Sequence, residues 1–161
     1  MQTIKPSYVD TRRYELQHSD VDQLCSFARG ELSAVETYAQ AIQKLSENPA
    51  VVSTLLKLQR SHHDRAQELR RYVIDLGGEP PESSGPWGSF AKLVEKGATL
   101  IGEKAAISAL EEGEDHGLAD YRRDLPQLSP QVRRYVEERI LPEQQRSHHA
   151  LSQLRSDISR S

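Results

Sequence analysis

Carboxylates and imidazoles recur in matched order along this chain. Gly30-Glu31 is followed seven residues after the Glu by Tyr38, and Gly113-Glu114 is followed seven after the Glu by Tyr121. Further on, the pentapeptide Gln-Arg-Ser-His-His appears at Gln59–His63 and again at Gln145–His149. The order Glu, Tyr, Gln, His, His therefore occurs twice. Carboxylate oxygens and neutral imidazole nitrogens are the donors that divalent first-row metals take from proteins. A chain whose two halves each carry such donors can set both groups around one internal axis. The candidate ligands are Glu31, His62, Glu111, Glu114 and His148. Tyr38, Gln59, Tyr121, Gln144 and Gln145 are candidates for hydrogen-bonding support.

These residues have to be positioned by helices. Between Asp20 and Ser46, Val21, Leu24, Ala28, Val35, Ile42 and Leu45 make a stripe of helical period, and Glu31 and Tyr38 fall on it. Asn48-Pro49 reads as a cap followed by proline at the first helical position. A second helix is expected from about Ala50 to Leu76, with Gln59 and His62 as the clearly polar members of its stripe. Gly77-Gly78 ends it. The Pro-, Gly- and Ser-rich stretch Glu79–Gly88 reads as a surface loop, and Trp87–Leu100 as a short amphipathic helix. Another helix is expected from Glu103 to Leu125, with Glu111, Glu114 and Tyr121 on its apolar side. A last one runs from Pro130 to about Ile158, interrupted by Pro142.

Short connections near Glu47–Pro49 and Pro126–Ser129 make antiparallel pairs. The connection from Gly77 to Gly102 is long. Helix two spans about 40 Å, a distance that this connection can cover. Two antiparallel pairs joined by one crossover follow. Glu31, His62, Glu114 and His148 all lie in the middle third of their helices, so one shared centre is expected.

The last helix carries a complication. Counting 100° per residue from Leu151, Leu154 and Ile158, Gln144 lies nearer the apolar centre than Gln145, and Ser147 is the angular equivalent of His62. Gln144 with His148 is the alternative pair to Gln145 with His148.

With 161 residues the chain makes one domain with a real core. The expected division is an N-terminal arm, 1–19, and a bundle, 20–158. A net charge of −3 offers no basic footprint for nucleic acid. No apolar run is long enough to span a membrane. A lone Cys25 fits a reducing, cytoplasmic setting. A homodimer is an expectation that no apolar stripe demands.

In layout the chain resembles the ferritin-like superfamily, the bacterioferritin- and rubrerythrin-type four-helix bundles, and within it small bacterial proteins of unassigned function. The resemblance covers nearly everything from Asp20 onward. It implies an all-α, ferritin-like four-helix bundle whose long crossover carries an extra short helix. It implies iron, as a di-iron or mononuclear site, or zinc, held by Glu31, His62, Glu111, Glu114 and His148. With iron bound, oxygen or peroxide chemistry would follow. The chain departs from the family at Gln59 and Gln145, where Glu-x-x-His would supply bridging carboxylates. The rival expectation is a metal-free structural or interaction bundle in which the same residues form a hydrogen-bonded polar core.

Overall fold

The computed structural model describes residues 8–85 and 102–160. The helix expected at Trp87–Leu100 lies outside them. Helix α1 spans Tyr8–Lys44, α2 Pro49–Asp75 and α3 Glu103–Asp124. A 3-10 turn at Leu125–Gln127 leads to α4, Pro130–Tyr135, a π-helical turn, Val136–Ile140, and α5, Leu141–Arg160. The described residues contain no strand. The described residues form an all-α bundle of four long helical rods, the fourth being α4, the π turn and α5 together.

Hydrogen bonds at the helix ends fix the topology. Gln17 Nε2 donates to Leu76 O at 2.6 Å, Gln23 Nε2 to Asp124 Oδ2 at 3.2 Å, and the Ser129 amide to Asp20 Oδ1 at 2.8 Å. The end of α2, the end of α3 and the early part of α1 therefore share one end of the bundle. At the other end Asn48 Nδ2 donates to Glu103 Oε2 at 2.8 Å. Asn48 also caps α2, accepting from the Val51 amide at 3.3 Å ahead of Pro49. So α2 stops and α3 starts at opposite ends of the bundle.

The stop of α2 is built from Gly77 and Gly78. The Gly78 amide donates to Val73 O at 2.9 Å and the Gly77 amide to Ile74 O at 2.8 Å, with Gly77 at φ 79°. That left-handed residue is one an L side chain adopts only at a cost. Gly78 is required for a different reason. A Cβ there would lie 2.5 Å from Val21 Cγ1, so the glycine lets α1 pass the end of α2.

Helix α1 is longer than its stripe implies. It begins at Tyr8 and so takes in the described part of the N-terminal arm, 1–19. Residues 11–19 are exposed, which is why no apolar period marks them.

The π turn explains the fourth rod. From Val132 to Gln144 the buried positions of that rod are Val132, Val136, Ile140 and Gln144, each four apart. In a straight α-helix each step of four overshoots one turn by ~40°, so three steps would carry the stripe ~120° off the core. The wider π turn absorbs the excess. Pro142 lies just beyond it and has no amide to donate, and the Leu141 amide reaches back five residues to Val136 O.

Two apolar clusters fill the bundle. One gathers Leu24, Phe27, Ala28, Leu69, Val73, Leu125, Val136 and Ile140. The other gathers Ala34, Tyr38, Leu45, Leu55, Leu58, Ile107, Leu110 and Leu151. Every rod also carries polar residues between these two clusters: Glu31, His62 with Arg65, Glu114, and Gln144 with Ser147. All are buried.

Candidate functional site

Glu31 on α1 and Glu114 on α3 stand opposite one another in that polar layer, 3% and 0% exposed. Each is held by a tyrosine from the other helix. Tyr38 Oη donates to Glu114 Oε1 and Tyr121 Oη to Glu31 Oε1, both at 2.6 Å. The seven-residue Glu–Tyr interval is two helical turns, so each Glu and its following Tyr lie on one face and the two pairs cross. Burial and the adjacent Glu114 carboxylate push the Tyr38 hydroxyl well above its usual range, and burial with Glu31 does the same for Tyr121. Both phenols stay protonated donors.

His62 lies between the carboxylates. Its Nδ1 is 2.7 Å from Glu31 Oε2 and its Nε2 2.8 Å from Glu114 Oε1. Burial alone would drive the ring neutral. Glu114, with hydrogen bonds to both acids, overcomes this and raises its pKa above the ordinary 6.5. The imidazolium can donate to both acids at once.

The middle of the layer is filled by Arg65, 2% exposed. Its Nε donates to Glu31 Oε1 at 2.9 Å. Nη1 donates to Ser61 Oγ at 2.7 Å and Ser147 Oγ at 3.1 Å. Nη2 donates to Gln144 Oε1 at 2.8 Å and also lies 2.7 Å from His62 Nδ1. One ring nitrogen cannot donate to Glu31 and accept from Arg65 together. With the ring charged, Nδ1–H belongs to Glu31 and the guanidinium keeps Gln144. Gln144 Nε2 in turn donates to Glu114 Oε2 at 2.9 Å. With His62 protonated, two carboxylates, one guanidinium and one imidazolium balance in charge. Burial tends to raise the carboxyl of Glu31, but Arg65 and His62 hold it down to about 2. Glu114 is lowered in the same way, against burial, chiefly by His62 and Tyr38. Among the described residues, Arg70 Nε is the buried side-chain atom left without a partner, and the layer has none.

This donor set does not fit a divalent metal as arranged. A metal-binding histidine keeps one ring nitrogen for the ion, and both nitrogens of His62 are spent on carboxylates. Glu31 Oε1 accepts from Arg65 and Tyr121, and Glu114 Oε1 from His62 and Tyr38. A second cation would also sit against the Arg65 guanidinium. Among the described residues no group of three or more His, Cys, Asp or Glu side chains is placed to hold an ion.

Comparison with known proteins meets this geometry at residues 19–127, which match the model of a domain of unknown function, DUF2383. The chain belongs to that family. The DUF2383 segment holds Glu31, Tyr38, His62, Arg65, Glu114 and Tyr121. Gln144 and Ser147 come from α5, beyond it. A stretch of 89 residues, 55% of the chain, is 36% identical to arginine--tRNA ligase of Halorhodospira halophila (strain DSM 244 / SL1). It spans 15% of that protein's length. No solved structure matches the chain.

Of the residues expected from sequence, Glu31, His62, Glu114, Tyr38, Tyr121 and Gln144 come together. The others do not. His148 faces outward, its Nε2 2.6 Å from Asp115 Oδ1, because the register through Gln144, Ser147 and Leu151 points it off the core. Gln145 is exposed for the same reason. Glu111 lies on the α3–α5 seam, accepting from Ser152 Oγ at 2.8 Å and pairing with Arg155. Gln59 is turned toward α1 and donates to Val35 O at 3.1 Å. Arg65, Ser61 and Ser147 were not among the expected site residues. The signal for Arg65 is its place: Leu55, Leu58, His62, Arg65 and Leu69 alternate steps of three and four, the period of one helix face.

Proposed function

We propose that this chain is a ferritin-like four-helix bundle that works without a bound metal, as a structural or interaction module. The supporting observation is the Arg65 guanidinium, hydrogen-bonded to Glu31, Ser61, Ser147 and Gln144 at the centre of the layer. In a di-iron bundle the charge of the core carboxylates is met by metal ions. Here a guanidinium and an imidazolium meet it, and the ligand-bearing positions Gln59 and Gln145 are neutral. A planar guanidinium with five N–H donors also imposes a fixed arrangement on its partners, so the layer sets the axial register of the four rods.

Metal analysis decides this reading. Protein purified without chelator from iron- and zinc-supplemented cells is expected to carry well under one metal ion per chain. Stoichiometric iron or zinc that disappears in His62→Ala would overturn it.

A second reading is supported by the convergence of Glu31, His62 and Glu114, two carboxylates and an imidazole with a tyrosine on each acid. In it these residues hold iron or zinc once the His62 ring has turned and Arg65 has withdrawn. The same metal analysis tests it.

A further inference from the structure

The centre of the bundle has the form of a recognition site for a guanidinium cation, and its contacts come from three of the four rods. Glu31 on α1 takes Nε, Ser61 on α2 and Ser147 on α5 share Nη1, and Gln144 on α5 takes Nη2. Each of the three nitrogens of one planar fork thus meets an oxygen, the set of partners that a guanidinium group needs and a spherical ion does not. They are also held independently of Arg65. Tyr121 and His62 hold Glu31, Glu114 holds the Gln144 amide, and the two serine hydroxyls lie 3.2 Å apart.

We propose that this centre is a guanidinium-binding site in its own right, with the Arg65 head group as its tethered ligand. Its occupancy fastens α5 to the rest of the bundle. The inference rests on the metal-independent reading above and carries it to the ligand class that the site selects. Arg65 reaches α5 through both of its terminal nitrogens, whereas Glu31 and His62 bond to Tyr121, Glu114 and one another on α1, α2 and α3. An empty centre would loosen α5 first.

The test uses the full chain with Arg65→Ala, which leaves a buried void at the head group's position. Melting temperature and hydrogen exchange of the α5 amides are measured with added guanidinium or methylguanidinium chloride, against sodium, ammonium and urea at equal concentration. Zinc and manganese form separate arms. The melting temperature of Arg65→Ala is expected to rise saturably, by about 5 °C, with guanidinium. Protection of α5 should return with the same midpoint, while the wild type gains nothing. Absence of a saturable rise would overturn the proposal. So would an equal rise with ammonium, zinc or manganese, since the site would then read charge and not shape. If Arg65→Ala is unfolded alone, recovery of helical circular dichroism in guanidinium supports the proposal and failure to recover counts against it. Arg65→Gln, which retains more of the side-chain volume, is read by the same criteria. Wild-type metal content bears on the metal-independent reading alone, so the two can fail separately.

Discussion

Ser61 and Ser147 hold the same position in the two Gln-Arg-Ser-His-His copies, and their hydroxyls meet across the bundle at 3.2 Å. Both accept from one guanidinium nitrogen of Arg65. The repeat thus meets at its serines, while its histidines diverge: His62 enters the core and His148 faces Asp115. The symmetry is real for Glu31 with Tyr121 and Glu114 with Tyr38. It ends at Arg65, which supplies one cation to a layer that has two acids.

That arrangement makes the Arg65–Glu31 pair strongly coupled. Removing either partner leaves a buried charge uncompensated, a loss of about 3–5 kcal/mol. Arg65→Met and Glu31→Gln are each expected to fall in that range by urea denaturation. The double variant should cost clearly less than their sum, because neither charge is then stranded. Additive losses would show that the pair is not the unit.

The protonation states set a pH window. His62 has a raised folded pKa, so its contribution is fully present below the unfolded value of 6.5 and is lost as pH rises through the folded value. Glu31 has a depressed one, so its contribution is present above 4.5 and is lost as pH falls toward about 2. Stability should peak between these limits, in mildly acid solution. In His62→Gln the decline on the alkaline side should flatten while the acid decline remains. A wild-type stability flat from pH 5 to 9 would count against a charged His62.

The two histidines of the repeat should differ in weight. His62→Ala removes a buried ring bonded to both acids and should cost about 3 kcal/mol or more. His148→Ala removes a solvent-facing pair with Asp115 and should cost at most about 1 kcal/mol. Thermal melts of the two variants at pH 6 are sufficient. Comparable losses would mean that α5 sits in the register of the literal repeat.

Much of this fold could be read from the residues because burial leaves periodic marks. Val21 to Leu45 and Val52 to Leu76 mark the first helix pair. The glycines at 77 and 78 mark a stop, and the distance to Gly102 marks a crossover. Glu31, His62 and Glu114 stood out as polar residues on apolar stripes. Arg65 did not, since an arginine on a helix is ordinarily solvated and pattern alone cannot tell which cation is enclosed. His148 and Gln145 were drawn in by identity of sequence, although counting from Leu151 already favoured Gln144 and Ser147. Residues 11–19 left no trace because a helix exposed on all sides has no apolar period to show.

Two glycines on the central helices provide the last test, because the same substitution should act in opposite directions. At Gly30 a Cβ would meet nothing within 4 Å, so Gly30→Ala should gain up to about 1 kcal/mol from helix propensity alone. At Gly117 a Cβ would lie 3.2 Å from Gln144 Nε2. An unrestrained amide would yield by a few tenths of an ångström. This one is pinned at both ends, donating to Glu114 Oε2 and accepting from Arg65 Nη2. Displacing it weakens charge-assisted bonds worth about 1.5–3 kcal/mol each, which outweighs the propensity gain. Gly117→Ala is therefore expected to be destabilising by about 1 kcal/mol, and Gly117→Ala with Gln144→Ala to recover the helix gain relative to Gln144→Ala alone. A Gly117→Ala protein as stable as Gly30→Ala would mean that Gln144 is free to move, and the tie between α5 and Glu114 would be the step of the argument to abandon.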